Sequence, residues 1–95
     1  MAADVKIYTR MACGYCGAAQ RLLRDKGVVF ESIDCTGNRA KRQWLAEQTQ
    51  RTTVPQIFIG GRPIGGYDDL KRLERSGELD ALLAAADAPS ESAAK

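Results

Sequence analysis

The chain has 95 residues, 44% hydrophobic and 27% charged, which is one domain's worth of sequence and excludes a disordered, collagen-like or coiled-coil chain. A net charge of +2 is too mild for a nucleic-acid-binding or membrane-surface protein, so neither partner is expected. No run approaches the roughly 20 apolar residues of a membrane span, and Met1-Ala2-Ala3-Asp4 lacks the basic-then-apolar pattern of a signal peptide, so the expected location is the cytoplasm.

In chain order, Val5-Lys6-Ile7-Tyr8-Thr9 alternates apolar and polar residues of β-favouring types, which predicts a first strand. From Cys16 to Lys26 the apolar residues Ala18, Ala19, Leu22 and Leu23 take helical spacing, and Gly27 is placed to end that helix. Val28 to Ile33 predicts a second strand, parallel to the first because a helix connects them. Asn38 is a candidate cap for a helix over Arg39 to Gln50, whose apolar stripe is Ala40, Trp44 and Leu45. Val54-Pro55-Gln56-Ile57-Phe58-Ile59 and Arg62-Pro63-Ile64 read as a hairpin around Gly60-Gly61, with Pro55 at a strand start. Asp68 to Glu74 and Glu78 to Ala86 carry leucines at helical spacing with a break at Ser76-Gly77, giving two short helices or one kinked one. One α/β domain over residues 1–86 is expected, a small mixed sheet covered by helices on both faces, followed by a flexible tail over 87–95.

Three cysteines and no histidine remove the usual general base and the commonest neutral metal ligand. Two of the cysteines form Cys13-Gly14-Tyr15-Cys16 where the first strand ends and a helix begins. Residues at i and i+3 share one face of a helical turn, close enough for a reversible disulfide. Backbone N–H groups and the positive end of the helix dipole favour a thiolate on the first of them. The competing readings are half of a zinc site, for which only Cys35 could supply a further cysteine ligand, and a chance pair. No resident metal is expected.

Three stretches together resemble the glutaredoxins, a family with the thioredoxin-like fold: Cys13-Gly14-Tyr15-Cys16 after Tyr8-Thr9, Thr52-Thr53-Val54-Pro55-Gln56-Ile57-Phe58-Ile59, and Ile64-Gly65-Gly66-Tyr67-Asp68-Asp69-Leu70. The resemblance covers about residues 4 to 84. It implies a four-stranded mixed sheet flanked by helices and a glutathione-dependent thiol-disulfide oxidoreductase. Its substrates would be protein disulfides and protein-glutathione mixed disulfides, with Cys13 as nucleophile and Cys16 as resolving thiol. Glutathione is then the co-substrate, glutathione reductase and NADPH are indirect partners, and the protein is expected to be a monomer.

The resemblance also implies a glutathione site. Pro55 would be a cis-proline facing the active cysteine, with the backbone of Val54 pairing with the cysteine of glutathione and Thr53 bordering the same groove. Tyr15 would wall the pocket. Gly66, Tyr67 and Asp68 would hold the γ-glutamyl end, although the same residues read equally as a turn and helix start capped by Asp68 or Asp69. Arg10 and Arg42 would lie near the glycine carboxylate, whereas Arg21, Arg24, Arg39, Lys41 and Arg51 read as a solvated face. Trp44, Phe58 and Phe30 read as core, and Cys35 as a small buried residue or a regulatory thiol. Gly14 stands where the commonest dithiol members carry proline. Some members with glycine there hold a [2Fe-2S] cluster through the first cysteine and glutathione in a dimer, so a cluster carrier using Cys13 is the alternative function. A thioredoxin proper is disfavoured, because Met11-Ala12 replaces the tryptophan expected before the CxxC.

Overall fold

The computed structural model describes residues 4–87, in the order β1 (Val5–Thr9), α1 (Gly14–Asp25), β2 (Glu31–Asp34), α2 (Arg39–Thr49), β3 (Gln56–Ile59), β4 (Arg62–Gly65), α3 (Tyr67–Ser76) and α4 (Glu78–Asp87). The sheet runs β2-β1-β3-β4. β1 is parallel to β2, with Tyr8 opposite Ile33, and antiparallel to β3, with Ile7 opposite Ile57. β4 returns antiparallel to β3 along the far edge, where Pro63 is tolerated because an edge strand needs fewer ladder donors.

Strand alternation divides the core into two layers. Val5, Ile7, Ile57 and Ile59 point to one face and meet Ala19 and Leu23 of α1, Leu70 of α3 and Leu79 of α4. Tyr8 and Phe58 point to the other, where they pack with Cys35 and with Leu45 of α2. The expected mixed sheet with helices on both faces is therefore the observed one. No helix among the described residues is long and apolar enough to cross a membrane.

Several boundaries differ from the sequence expectation, each for a local reason. β2 starts at Glu31 rather than Val28. The Val28 N–H is already taken by the Leu23 carbonyl at 3.0 Å, part of the α1 terminus in which Gly27 turns left-handed at φ +75°. Val29 consequently faces solvent, 70% exposed. β3 starts at Gln56, since Pro55 has no N–H to give a ladder. The final helical stretch is two helices, separated at Gly77, whose φ is +85°. Asp87, expected in the tail, is the last residue of α4, and the rest of that tail lies outside the described residues.

The expected core also needs correction. α2 buries Leu45 alone, so its neighbour Trp44 lies to one side of the contact line and is 42% exposed, stacked on Phe58 and tilted against Tyr8. Ala40 is exposed, whereas Phe30 packs against the first layer as expected, half-buried with the Arg24 guanidinium 6.0 Å from its ring centroid.

The layering predicts a sharp contrast in denaturant unfolding. Leu23→Ala, which empties a fully buried position, should cost about 2–5 kcal/mol. Val29→Ala, in the stretch once expected to be strand, should cost less than about 0.5 kcal/mol. Equal losses would contradict the assigned α1 terminus.

Candidate active site

The α1 start is built around sulfur. Cys13 has extended backbone, φ −109° and ψ 105°, and as N-cap its Sγ accepts the Cys16 N–H at 3.2 Å. That satisfies one of the backbone donors that every helix start leaves open. No acidic side chain occupies the first turn, so the positive end of the helix is left to the sulfur. The preceding loop is pinned to the end of β2. Cys35 N–H donates to the Thr9 carbonyl at 2.8 Å, and Met11 N–H to Thr36 Oγ1 at 2.7 Å. Between them and Cys13, Ala12 is held in the left-handed region at φ +60°, an uncommon conformation for a residue with a Cβ.

Opposite Cys13 lies the loop leading into β3. The Val54–Pro55 peptide bond is cis, as the resemblance implied. The Val54 carbonyl lies 3.7 Å from Cys13 Sγ. Buried Gln56 supports this loop from below, its Nε2 donating to the Thr53 carbonyl at 3.1 Å. Beyond the loop, a pocket of about 220 Å³ is lined by Tyr15, Thr53, Val54, Pro55, Gly66, Tyr67 and Asp68, all expected from the sequence. The Tyr15 and Tyr67 rings meet there at 5.9 Å between centroids. Arg10 and Arg42, expected near the glycine carboxylate of glutathione, are not among the residues lining this pocket. A wider groove of about 570 Å³ is bordered by Tyr8, Lys41 and Trp44; neither cavity is lined by a cysteine, but the smaller one includes Val54, whose carbonyl meets Cys13 Sγ.

Two further residues complete the pocket: Arg51, read from the sequence as part of a solvated face, and Asp69. Arg51 Nη1 donates to Asp69 Oδ2 at 2.7 Å, the same oxygen accepts the Gly66 N–H at 2.9 Å, and Arg72 Nη2 reaches Asp69 Oδ1 at 2.6 Å. Asp69 rather than Asp68 therefore closes the helix start, consistent with the favourable position of an acid in the first turn. Gly65, at φ +111°, is required here because a Cβ would collide with the Asp69 carboxylate. An arginine that pairs across 18 residues leaves no local signal in the sequence.

The ionisable groups are sharply differentiated. Burial, followed by a hydrogen bond with the Cys13 side chain, pushes the Cys16 thiol up to about 12, against a smaller opposing effect of the Arg10 backbone. Burial also raises the Cys35 thiol. For Asp69, burial opposes ionisation, but the hydrogen bonds from Arg51, Gly66 and Arg72 outweigh it and hold the carboxyl at about 2. The arrangement thus offers one accessible sulfur, Cys13, backed by a buried thiol that keeps its proton, with both unbridged.

Residues 5–64 match the family description Glutaredoxin. Over 81 residues, 85% of this chain and 98% of the relative, the sequence is 51% identical to glutaredoxin 3 of Escherichia coli strain K12. The chain belongs to the glutaredoxin family. It is also 53% identical over 81 residues to the glutaredoxin of Pseudomonas aeruginosa, covering 85% of this chain and 96% of that one. The crystal structure of a buckwheat glutaredoxin-glutathione complex superposes with a TM-score of 0.82 at 29% identity, covering 88% of this chain and 79% of that one. The fold is therefore thioredoxin-like, and this glutaredoxin is a thiol-disulfide oxidoreductase whose redox-active pair is Cys13 and Cys16.

The Asp69 cluster predicts an acid-sensitive term in stability. Its folded-state pKa of about 2 lies below the ordinary 3.8, so the contribution is complete above that value and is lost as pH falls toward 2. Discounted for the partly exposed arginines, it amounts to about 1–2 kcal/mol. Asp69→Asn should lose this stability at pH 7 and show a flatter stability profile between pH 4 and pH 2 (roughly the window set by the two pKa values), measured by urea unfolding. An unchanged profile would contradict the cluster's role.

Proposed function

We propose that this glutaredoxin reduces protein-glutathione mixed disulfides and protein disulfides at the expense of glutathione, with Cys13 as nucleophile. The observation that carries the reading is that Cys13 Sγ lies 3.7 Å from the carbonyl of Val54, itself a lining residue of the pocket walled by Tyr15, Thr53, Pro55 and Tyr67. A peptide lying in extended form along Val54 would pair with its backbone as an added strand does. Its sulfur would be brought to Cys13. The solved complex of the buckwheat relative with glutathione supports glutathione as that peptide.

In the monothiol route the Cys13 thiolate attacks the glutathionyl sulfur of the substrate. A Cys13-glutathione disulfide forms, the substrate's disulfide bond breaks, and the released thiolate takes a proton from water. A second glutathione thiolate then attacks the glutathionyl sulfur, giving glutathione disulfide and restoring the Cys13 thiolate. NADPH and glutathione reductase return the two electrons to the glutathione pool. In the dithiol route Cys13 forms a mixed disulfide with the protein substrate. Cys16 loses its proton and attacks Cys13 Sγ, releasing the reduced protein and leaving a Cys13–Cys16 disulfide for two glutathiones to reduce. Because the attacking species is always a thiolate, Cys16 must give up its proton before it attacks, and its burial disfavours that step. The glutathione-resolved route is favoured wherever the substrate already carries glutathione.

We read the protein as a monomer acting in a reducing compartment such as the cytoplasm, because one CxxC and a lone third cysteine are not the framework of a disulfide-stapled secreted domain. The [2Fe-2S] alternative would rest on Cys13 and ligands from outside the chain, and no observation favours it over the redox reading. Gly14 departs from the common proline, yet the helix begins at Gly14 without disturbance.

Turnover of a glutathionylated peptide, coupled to NADPH oxidation through glutathione reductase, tests the assignment. Cys13→Ser should abolish it. Cys16→Ser should change it by no more than about twofold while impairing reduction of a protein disulfide, because only the second reaction needs the buried thiol. Loss of both activities in Cys16→Ser, or turnover surviving in Cys13→Ser, would overturn the division of roles.

A further inference from the structure

Arg51 lies in the loop between α2 and β3, lines the pocket, and keeps its side chain 48% exposed. Its guanidinium has five N–H donors. Among the described residues, the side chain's single partner is Asp69. Arg51 and Arg72 share the one Asp69 carboxylate, so the cluster retains one positive charge, fixed in position by the Gly66 N–H and the α3 start. Asp68, one residue earlier on the same wall, is exposed and forms no ion pair among the described residues. The wall therefore presents a fixed positive charge beside a negative one.

That pairing is complementary to an α-amino-acid head group, whose ammonium and carboxylate sit on one carbon. In glutathione the γ-glutamyl end has both charges, whereas the glycine end has a carboxylate alone. We propose that Arg51 is a specificity-determining residue, donating to the γ-glutamyl carboxylate while Asp68 receives the ammonium. This rests on the glutathione reading above. Bracing by Asp69 holds the guanidinium ready before the ligand arrives, which lowers the ordering cost of binding. A planar fork also matches a carboxylate in a way that the point charge of lysine does not. The Tyr15–Tyr67 pair lies in the same pocket and supplies its apolar wall.

The test compares three mixed disulfides of one peptide, formed with glutathione, γ-glutamylcysteine and cysteinylglycine, on the wild type, Arg51→Gln and Arg51→Lys. The wild type should prefer the two γ-glutamyl substrates. Arg51→Gln should reduce the ratio of kcat/KM for γ-glutamylcysteine over cysteinylglycine by about three- to tenfold, through KM rather than kcat, as befits a partly screened charged hydrogen bond. Arg51→Lys should lose less, because it keeps the charge and can still pair with Asp69. An unchanged ratio in both variants, with the wild-type preference intact, would overturn the role of Arg51 alone. So would an equal loss on all three substrates, which marks a purely structural residue. A wild type indifferent to the γ-glutamyl group would overturn the glutathione reading together with it.

Discussion

The Cys16 N–H donates to the Cys13 sulfur at 3.2 Å, and the rest of the site is arranged around that contact. By serving as the cap of α1, Cys13 is placed at the positive end of the helix with its sulfur turned toward the Val54 carbonyl. The loop that delivers it is tied to β2 through Thr9, Met11 and Thr36, and the facing loop is supported by Gln56. Core packing of Ile7 and Ile57 between the helices fixes the two strands that bear these loops. The chemistry thus depends on a sheet in which β1 and β3 are neighbours although 46 residues, 10–55, lie between the end of β1 and the start of β3, the kind of long-range pairing that makes such topologies slow to assemble.

The three thiols receive different chemistry from burial. Cys13 is partly accessible, whereas Cys16 and Cys35 lie in the interior. Desolvation disfavours a thiolate, and both buried thiols are shifted upward accordingly. Cys35 belongs to the α2-side core with Tyr8, Leu45 and Phe58, in agreement with the expectation of a small buried residue. A redox pair at a helix start therefore acts asymmetrically for a simple physical reason: the second cysteine is one turn further along the helix, on the face that turns into the core.

Much of this was legible in the sequence because it is written locally. The alternation of β1, the Asn38 cap, the CxxC at a strand-to-helix junction and the hairpin glycines each depend on neighbours a few residues away, and the structure bears them out. What was not legible depends on distant or competing contacts. Val28 and Val29 have strand-forming side chains, but the helix terminus takes the Val28 N–H first. Trp44 has the composition of a core residue, but α2 meets the sheet along a line through Leu45. Arg51 looks like any other surface arginine until α3 brings Asp69 against it.

The central claim is that one sulfur of the three is presented for reaction. Brief treatment of the reduced protein with limiting iodoacetamide at neutral pH, followed by peptide mass mapping, tests it directly. Carbamidomethylation is expected at Cys13, with Cys16 and Cys35 unmodified until the protein is unfolded. Labelling of Cys16 or Cys35 in the folded protein at a rate equal to that of Cys13 would contradict it.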